Sequence, residues 1–104
     1  MAQRKVVWTE TAARQRRLIL EYWVEHNQSI TYSYKLLQLS DEKTNLMAKN
    51  PRSYKKSEFP DTRVASMGHF SLFYKTADEH ITITAFWDNR QDPKKLLELL
   101  KDRE

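Results

Sequence analysis

Apolar positions fall at helical spacing through the first half of the chain and at strand spacing through the second. Lys5-Val6-Val7-Trp8 is a short β-prone run, and Thr9 after it offers a helix N-cap hydroxyl. Ala12, Gln15, Ile19, Tyr22, Trp23 and His26 then recur on one helical face, with one polar interruption, up to a stop near Asn27. Ser29 is a second candidate N-cap, and Ile30, Tyr34, Leu37, Thr44 and Met47 mark the stripe of a second helix. Pro51 limits that helix, because the residue before a proline leaves the α region. Helices joined by so few residues form an antiparallel hairpin.

Residues 51–62 hold two prolines and no clear period, which predicts an irregular basic loop. Arg63-Val64-Ala65-Ser66 reads as a strand, Met67-Gly68-His69 as a turn, and Phe70 to Lys75 as the next strand. Gly68 is the only glycine and stands where a positive φ is cheapest. Thr76 to Glu79 turns the chain again, and His80 to Trp87 alternates Ile81, Ile83, Ala85 and Trp87 against Thr82 and Thr84. Asp92-Pro93 resembles a cap followed by a first-turn proline, with Leu96, Leu97, Leu99 and Leu100 on a short terminal helix. The expected fold is α+β over one domain, residues 1–104. Its order is β-α-α-β-β-β(-α), with the hairpin on one face of a mainly antiparallel, twisted, four-stranded sheet.

Composition narrows the chemistry. With no cysteine there is no disulfide framework, thiolate metal site or cysteine nucleophile. The histidines His26, His69 and His80 lack ligand spacing, so neither a metal nor a cofactor is expected. No apolar run approaches membrane length and no signal-peptide core opens the chain, so a cytoplasmic address and no membrane partner are expected. The net charge is +4, and it is unevenly placed: residues 1–17 carry +4 and residues 49–63 carry +3, while the rest is neutral or negative. Such blocks either attract phosphate or are a solvated surface.

The order of elements resembles the RelE/ParE superfamily of toxins from type II toxin–antitoxin systems. The resemblance is carried by Val6-Val7-Trp8-Thr9-Glu10-Thr11-Ala12, by Ile19-Leu20-Glu21-Tyr22-Trp23 with Asn27, and by Leu46 to Pro51. It continues through the aromatic strand His69 to Lys75 and the exit Ile81 to Pro93, which bears Arg90. The resemblance implies an operon-mate antitoxin, acidic and folding on binding, with the terminal leucine helix or the groove beneath it as its candidate seat. It implies one of two targets. RelE-like members cleave mRNA in the ribosomal A site, and ParE-like members inhibit DNA gyrase.

The leading expectation is the ribosome-dependent mRNA interferase, a metal-independent endoribonuclease; the alternative is the non-enzymatic gyrase inhibitor. Cleavage needs a base for the 2′-hydroxyl, cations for the phosphorane and an acid for the leaving oxygen. The family pattern points to Arg63 at a strand start and Arg90 at the last strand's exit, with Lys56 as a third catalytic candidate. Lys55, Tyr54 and Arg52 are candidates for RNA binding, Tyr54 or Trp87 as a stacking ring. Arg63 and Arg90 are expected to meet across the sheet end. Each has a plainer reading beside it: Lys55 and Lys56 as solvated lysines, Trp87 and Tyr74 as core. His69 is a remote acid candidate. No tyrosine or histidine follows Asp88, a departure from the nuclease pattern.

Overall fold

The structure, a computed structural model, describes residues 4–91 together with 94 and 95. Seven elements follow in order: β1 (Lys5–Trp8), α1 (Glu10–Asn27), α2 (Thr31–Lys49), β2 (Lys55–Lys56), β3 (Arg63–Met67), β4 (Phe70–Thr76) and β5 (His80–Asp88). The strands form one sheet in the order β1-β5-β4-β3-β2. β1 runs parallel to β5 and every other pair is antiparallel. The expected α+β fold, a helical hairpin on a mainly antiparallel sheet, is what forms. The expected terminal helix and its leucines lie outside the described residues. No helix among those described is long and apolar enough to cross a membrane.

Local chemistry sets the element ends. Thr9 takes the cap position expected of it, its Oγ1 accepting from the Ala12 N–H at 3.1 Å. α1 stops at Asn27 because Gln28 turns left-handed, and the Ser29 and Gln28 N–H groups donate back to the Val24 and Glu25 carbonyls. That is the Schellman closure, here built on a residue other than glycine. Ser29 does not occupy the N-cap of α2, which is Ile30, yet its Oγ accepts from the Thr31 N–H at 3.2 Å. α2 ends before Pro51, as expected. Gly68, at φ +60°, opens a two-residue hairpin turn between Met67 and Phe70. A positive φ at the first turn position alone is the type II′ pattern that suits strand twist.

The core lies between hairpin and sheet. Ala12, Leu36, Met47 and Ala48 pack against Leu72, Tyr74, Ile81, Ile83 and Phe86, all buried. Arg16 ties the two helices together: its Nη1 donates to Asp41 and Ser40, and its guanidinium covers the Trp8 ring at 4.0 Å. A second, smaller cluster holds Phe73, Ala85 and Trp87, with Phe59 and Val64 against it.

Four expectations change. Residues 51–62 are not wholly irregular, since Lys55 and Lys56 pair with Val64 and Arg63 as an edge strand. The sheet therefore has five strands instead of four. The α2 stripe is shifted: Ile30 and Tyr34 are exposed, while Ser33, Leu36 and Ser40 are buried beside Thr44 and Met47. Small hydroxyl residues fill that face because they fit close helix contact; Ser33 Oγ donates to the Leu20 carbonyl at 2.6 Å. Finally, Trp87 is buried, as expected, but away from Ile81 and Ile83. The register steps from Tyr74↔Ile83 to Phe73↔Ala85, leaving Thr84 as an extra bulged residue. One extra residue flips the side-chain phase of everything after it.

Tyr74 joins this core to the loop after α2. Its ring is fully buried and its hydroxyl donates to the Pro51 carbonyl. Burial pushes the phenol up to about 12, against a small opposing pull from Arg63. Tyr74→Phe is expected to cost about 1–3 kcal/mol at neutral pH, the penalty for an unsatisfied buried carbonyl. The raised phenol also stabilises the fold only while it stays protonated. Wild-type stability should therefore fall between pH 10, where the unfolded chain starts to ionise, and pH 12. Urea unfolding of both proteins from pH 8 to 12 checks this; a gap that widens or stays level with rising pH contradicts it.

Candidate functional site

The two ends of the sheet differ in chemistry. β3 starts and β4 stops at one end, and β5 exits at the other. Arg63 pairs with Tyr74 at the first, while Asp88 pairs with Phe70 at the second. The rows of Tyr74 and Phe70 are four residues apart, about 13 Å at 3.3 Å per residue, and Arg90 lies two residues further on. Arg63 and Arg90 do not meet, contrary to expectation. In an antiparallel meander every second strand runs the same way, so the start of β3 and the exit of β5 are opposite ends.

At the β3 end an open cleft of about 650 Å³ gathers five cationic side chains. Arg52 comes from the loop after α2, Lys56 from β2, Arg63 from β3, Lys75 from β4, and Arg4 from just before β1. Asp61 and Asp78 are the carboxylates in its lining. Two of the arginines are anchored to backbone: Arg63 Nη1 donates to the Tyr54 carbonyl at 2.7 Å, and Arg4 Nε to the Ala77 carbonyl at 2.9 Å. The wall formed by residues 57–62 is held by its own bonds. Ser57 N–H and Oγ both donate to the Thr62 carbonyl, and Asp61 sits at φ 54° to close the turn.

Arg52, Lys56 and Arg63 thus come together as candidates, and Arg4 and Lys75 join them unforeseen. The other three candidates, Lys55, Tyr54 and Arg90, lie outside the cleft lining. Lys55 lines a separate hollow of about 390 Å³ together with Val64 and Phe73. Tyr54 packs against the core, its ring edge-on to Tyr74 at 6.3 Å with the Lys43 ammonium 5.9 Å from its centroid. The ring is half-buried there and does not line the cleft. Among the described residues no three His, Asp or Glu side chains gather as metal ligands would.

At the β5 end Arg90 is enclosed by a different chemistry. Its Nε and Nη2 donate to both Asp88 oxygens, at 2.9 and 2.8 Å, in a forked pair. This bond holds the Asp88 carboxyl below its ordinary range and pushes the Arg90 guanidinium further up. The guanidinium lies 5.5 Å from the Trp23 ring and 5.9 Å from Phe70. Around Trp23 stand Tyr22, His26 and Tyr32, each with a ring centroid within 5.3 Å of it. Tyr22 is 55% exposed and Tyr32 38%, so this tip of the hairpin presents aromatic surface to solvent. Helical spacing placed Tyr22, Trp23 and His26 on one face, but nothing in the sequence said that Arg90 would reach them.

A family model described as ParE toxin of type II toxin-antitoxin system, parDE, matches residues 6–93. Among solved structures, a chain titled "Chromosomal ParDE TA system from P. aeruginosa" superposes with a TM-score of 0.70. The match covers 81% of this chain and 94% of that one at 20% identity, so it is a likeness of fold. No curated protein matches the sequence.

The Asp88–Arg90 pair is half exposed on its arginine side, so its worth is small. Asp88→Asn should lower stability by about 0.2–1 kcal/mol at pH 7. Because the carboxyl is held below its ordinary value of 3.8, wild type keeps that advantage above this pH and loses it as the pH falls below. Chemical unfolding of both proteins at pH 7 and pH 3 tests the claim; an equal gap at both pH values refutes it.

Proposed function

Because this chain belongs to the ParE toxin family of type II toxin–antitoxin systems, we propose that it arrests growth by binding and inhibiting DNA gyrase, with no chemistry of its own. The observation that carries this reading is the dispersal of the expected catalytic set. RNA cleavage needs base, cations and acid within hydrogen-bond reach of one phosphate. Arg90 is bound to Asp88 at the far end of the sheet from Arg63, and Tyr54 is half-buried against the core, outside the cleft lining. A toxin that works by occupying a protein needs only a surface. The hairpin tip has the composition of one: exposed Tyr22 and Tyr32, half-buried Trp23, and Arg90 among them. Tyrosine, tryptophan and arginine are the side chains that dominate binding energy at protein interfaces.

One observation favours the interferase reading: Arg52, Lys56 and Arg63 share a cleft. Against it, no histidine or tyrosine stands in that lining beside the carboxylates Asp61 and Asp78, and Arg90 is at the far end of the sheet. A type II toxin has an antitoxin as its partner. We read this partner as an acidic segment that orders on binding, in keeping with the basic excess of the toxin.

A supercoiling assay separates the two targets. Purified toxin is expected to stop gyrase from supercoiling relaxed plasmid and to leave mRNA on programmed ribosomes uncut. Tyr22→Ala with Arg90→Ala should weaken inhibition by about tenfold or more, as interface hot spots do. Normal supercoiling at micromolar toxin would remove gyrase as the target, and A-site cleavage would return the interferase.

A further inference from the structure

We propose that the cleft at the β3 end is a binding groove for a phosphodiester backbone, gripped through charge without regard to sequence. Arg4, Arg52, Lys56, Arg63 and Lys75 reach it from five separate segments of the chain. None of the five makes an ion pair among the described residues, although Asp61 and Asp78 line the same space. Elsewhere the protein does pair its arginines, Arg16 with Asp41 and Arg90 with Asp88. Cations collected and left unneutralised repel one another in the free protein, and an anion with evenly spaced charges relieves that repulsion.

The lining tells which anion. Phe59 is its one large apolar side chain, and that ring is engaged edge-on with Phe73 at 5.6 Å. A peptide that orders on binding needs apolar anchors to offset its lost entropy. A nucleic acid does not, since release of condensed counterions drives its association. The one ring in the cleft lining, Phe59, is engaged with Phe73, and Tyr54 packs edge-on to Tyr74 outside that lining. Contact is therefore to phosphates, which position but do not specify. The wall of the groove is held by its own hydrogen bonds, and the two anchored arginines leave guanidinium nitrogens for phosphate oxygens, while Lys56 and Lys75 are exposed. The groove is distinct from the aromatic tip, so its test contains no gyrase and does not depend on that target.

The experiment is fluorescence anisotropy with labelled duplex DNA, single-stranded DNA and single-stranded RNA of matched length, on the full chain. Binding is expected near micromolar Kd at low salt, with log K falling against log salt at a slope of about −3 to −4.5 for the duplex. The three arms identify which nucleic acid the groove favours. Arg52→Gln, Lys56→Gln and Lys75→Gln together, all at exposed positions, should weaken binding at least tenfold and flatten the slope by about 2 to 3. Arg14→Gln, Arg17→Gln and Lys35→Gln remove the same charge from the helices and should leave both nearly unchanged, with melting curves of both triples matching wild type. No binding in any arm, equal loss in the two triples, or tighter binding of a polyglutamate peptide than of any oligonucleotide would overturn the proposal.

Discussion

The structure hangs on β5 being buried on both faces. β1 and β4 pair along its two edges, and α1 and α2 both pack against it. A strand in that position must present apolar groups up and down, and regular alternation cannot do so from this sequence. The extra residue at Thr84 solves the problem. Before it, Ile81 and Ile83 face the helices; after it, Phe86 faces them and Ala85 and Trp87 face away. The bulge therefore feeds both clusters from a single strand. It also turns the Phe86 N–H out of the ladder, where the Gln15 Oε1 accepts it at 2.9 Å. Gln15 is the polar interruption in the α1 stripe, and this is its reason.

Much of the fold was legible because its signals are local. Thr9 as a cap, the stop at Asn27, Gly68 in the turn and the boundaries of β4 and β5 each depend on a few adjacent residues. The α2 stripe was misjudged where packing beat hydrophobicity: Ser33 and Ser40 are buried because their hydroxyls find carbonyls and their size admits the neighbouring helix. β2 was missed because two residues between prolines carry no period. Its partner, Arg63-Val64, sits several residues away across a turn.

The candidate site was legible in part, for the same reason. Arg52, Lys56 and Arg63 are near in sequence and come together through one short hairpin. Lys75 joins through the β3–β4 hairpin, where Arg63 pairs with Tyr74, and Arg4 joins by the parallel pairing of β1 beside β5, a long-range choice that no local spacing encodes. The error over Arg90 is of another kind. Strand count alone puts the start of β3 and the exit of β5 at opposite ends, so topology could have excluded their meeting before any side chain was placed.

The two ends of the sheet treat their charge in opposite ways, and the roles proposed for them follow that difference. Arg90 is neutralised by a forked carboxylate and screened by rings, so it adds shape and donor geometry with little net field. At the other end five cations face two carboxylates without a single ion pair among them. A neutralised arginine among aromatics suits a protein surface, where an uncompensated buried charge would oppose binding. Unpaired cations in an open polar groove suit a polyanion, whose counterions supply the driving force. On the proposed reading of gyrase as the target, a toxin that engages an enzyme seated on DNA has use for both surfaces, set at opposite ends of one sheet.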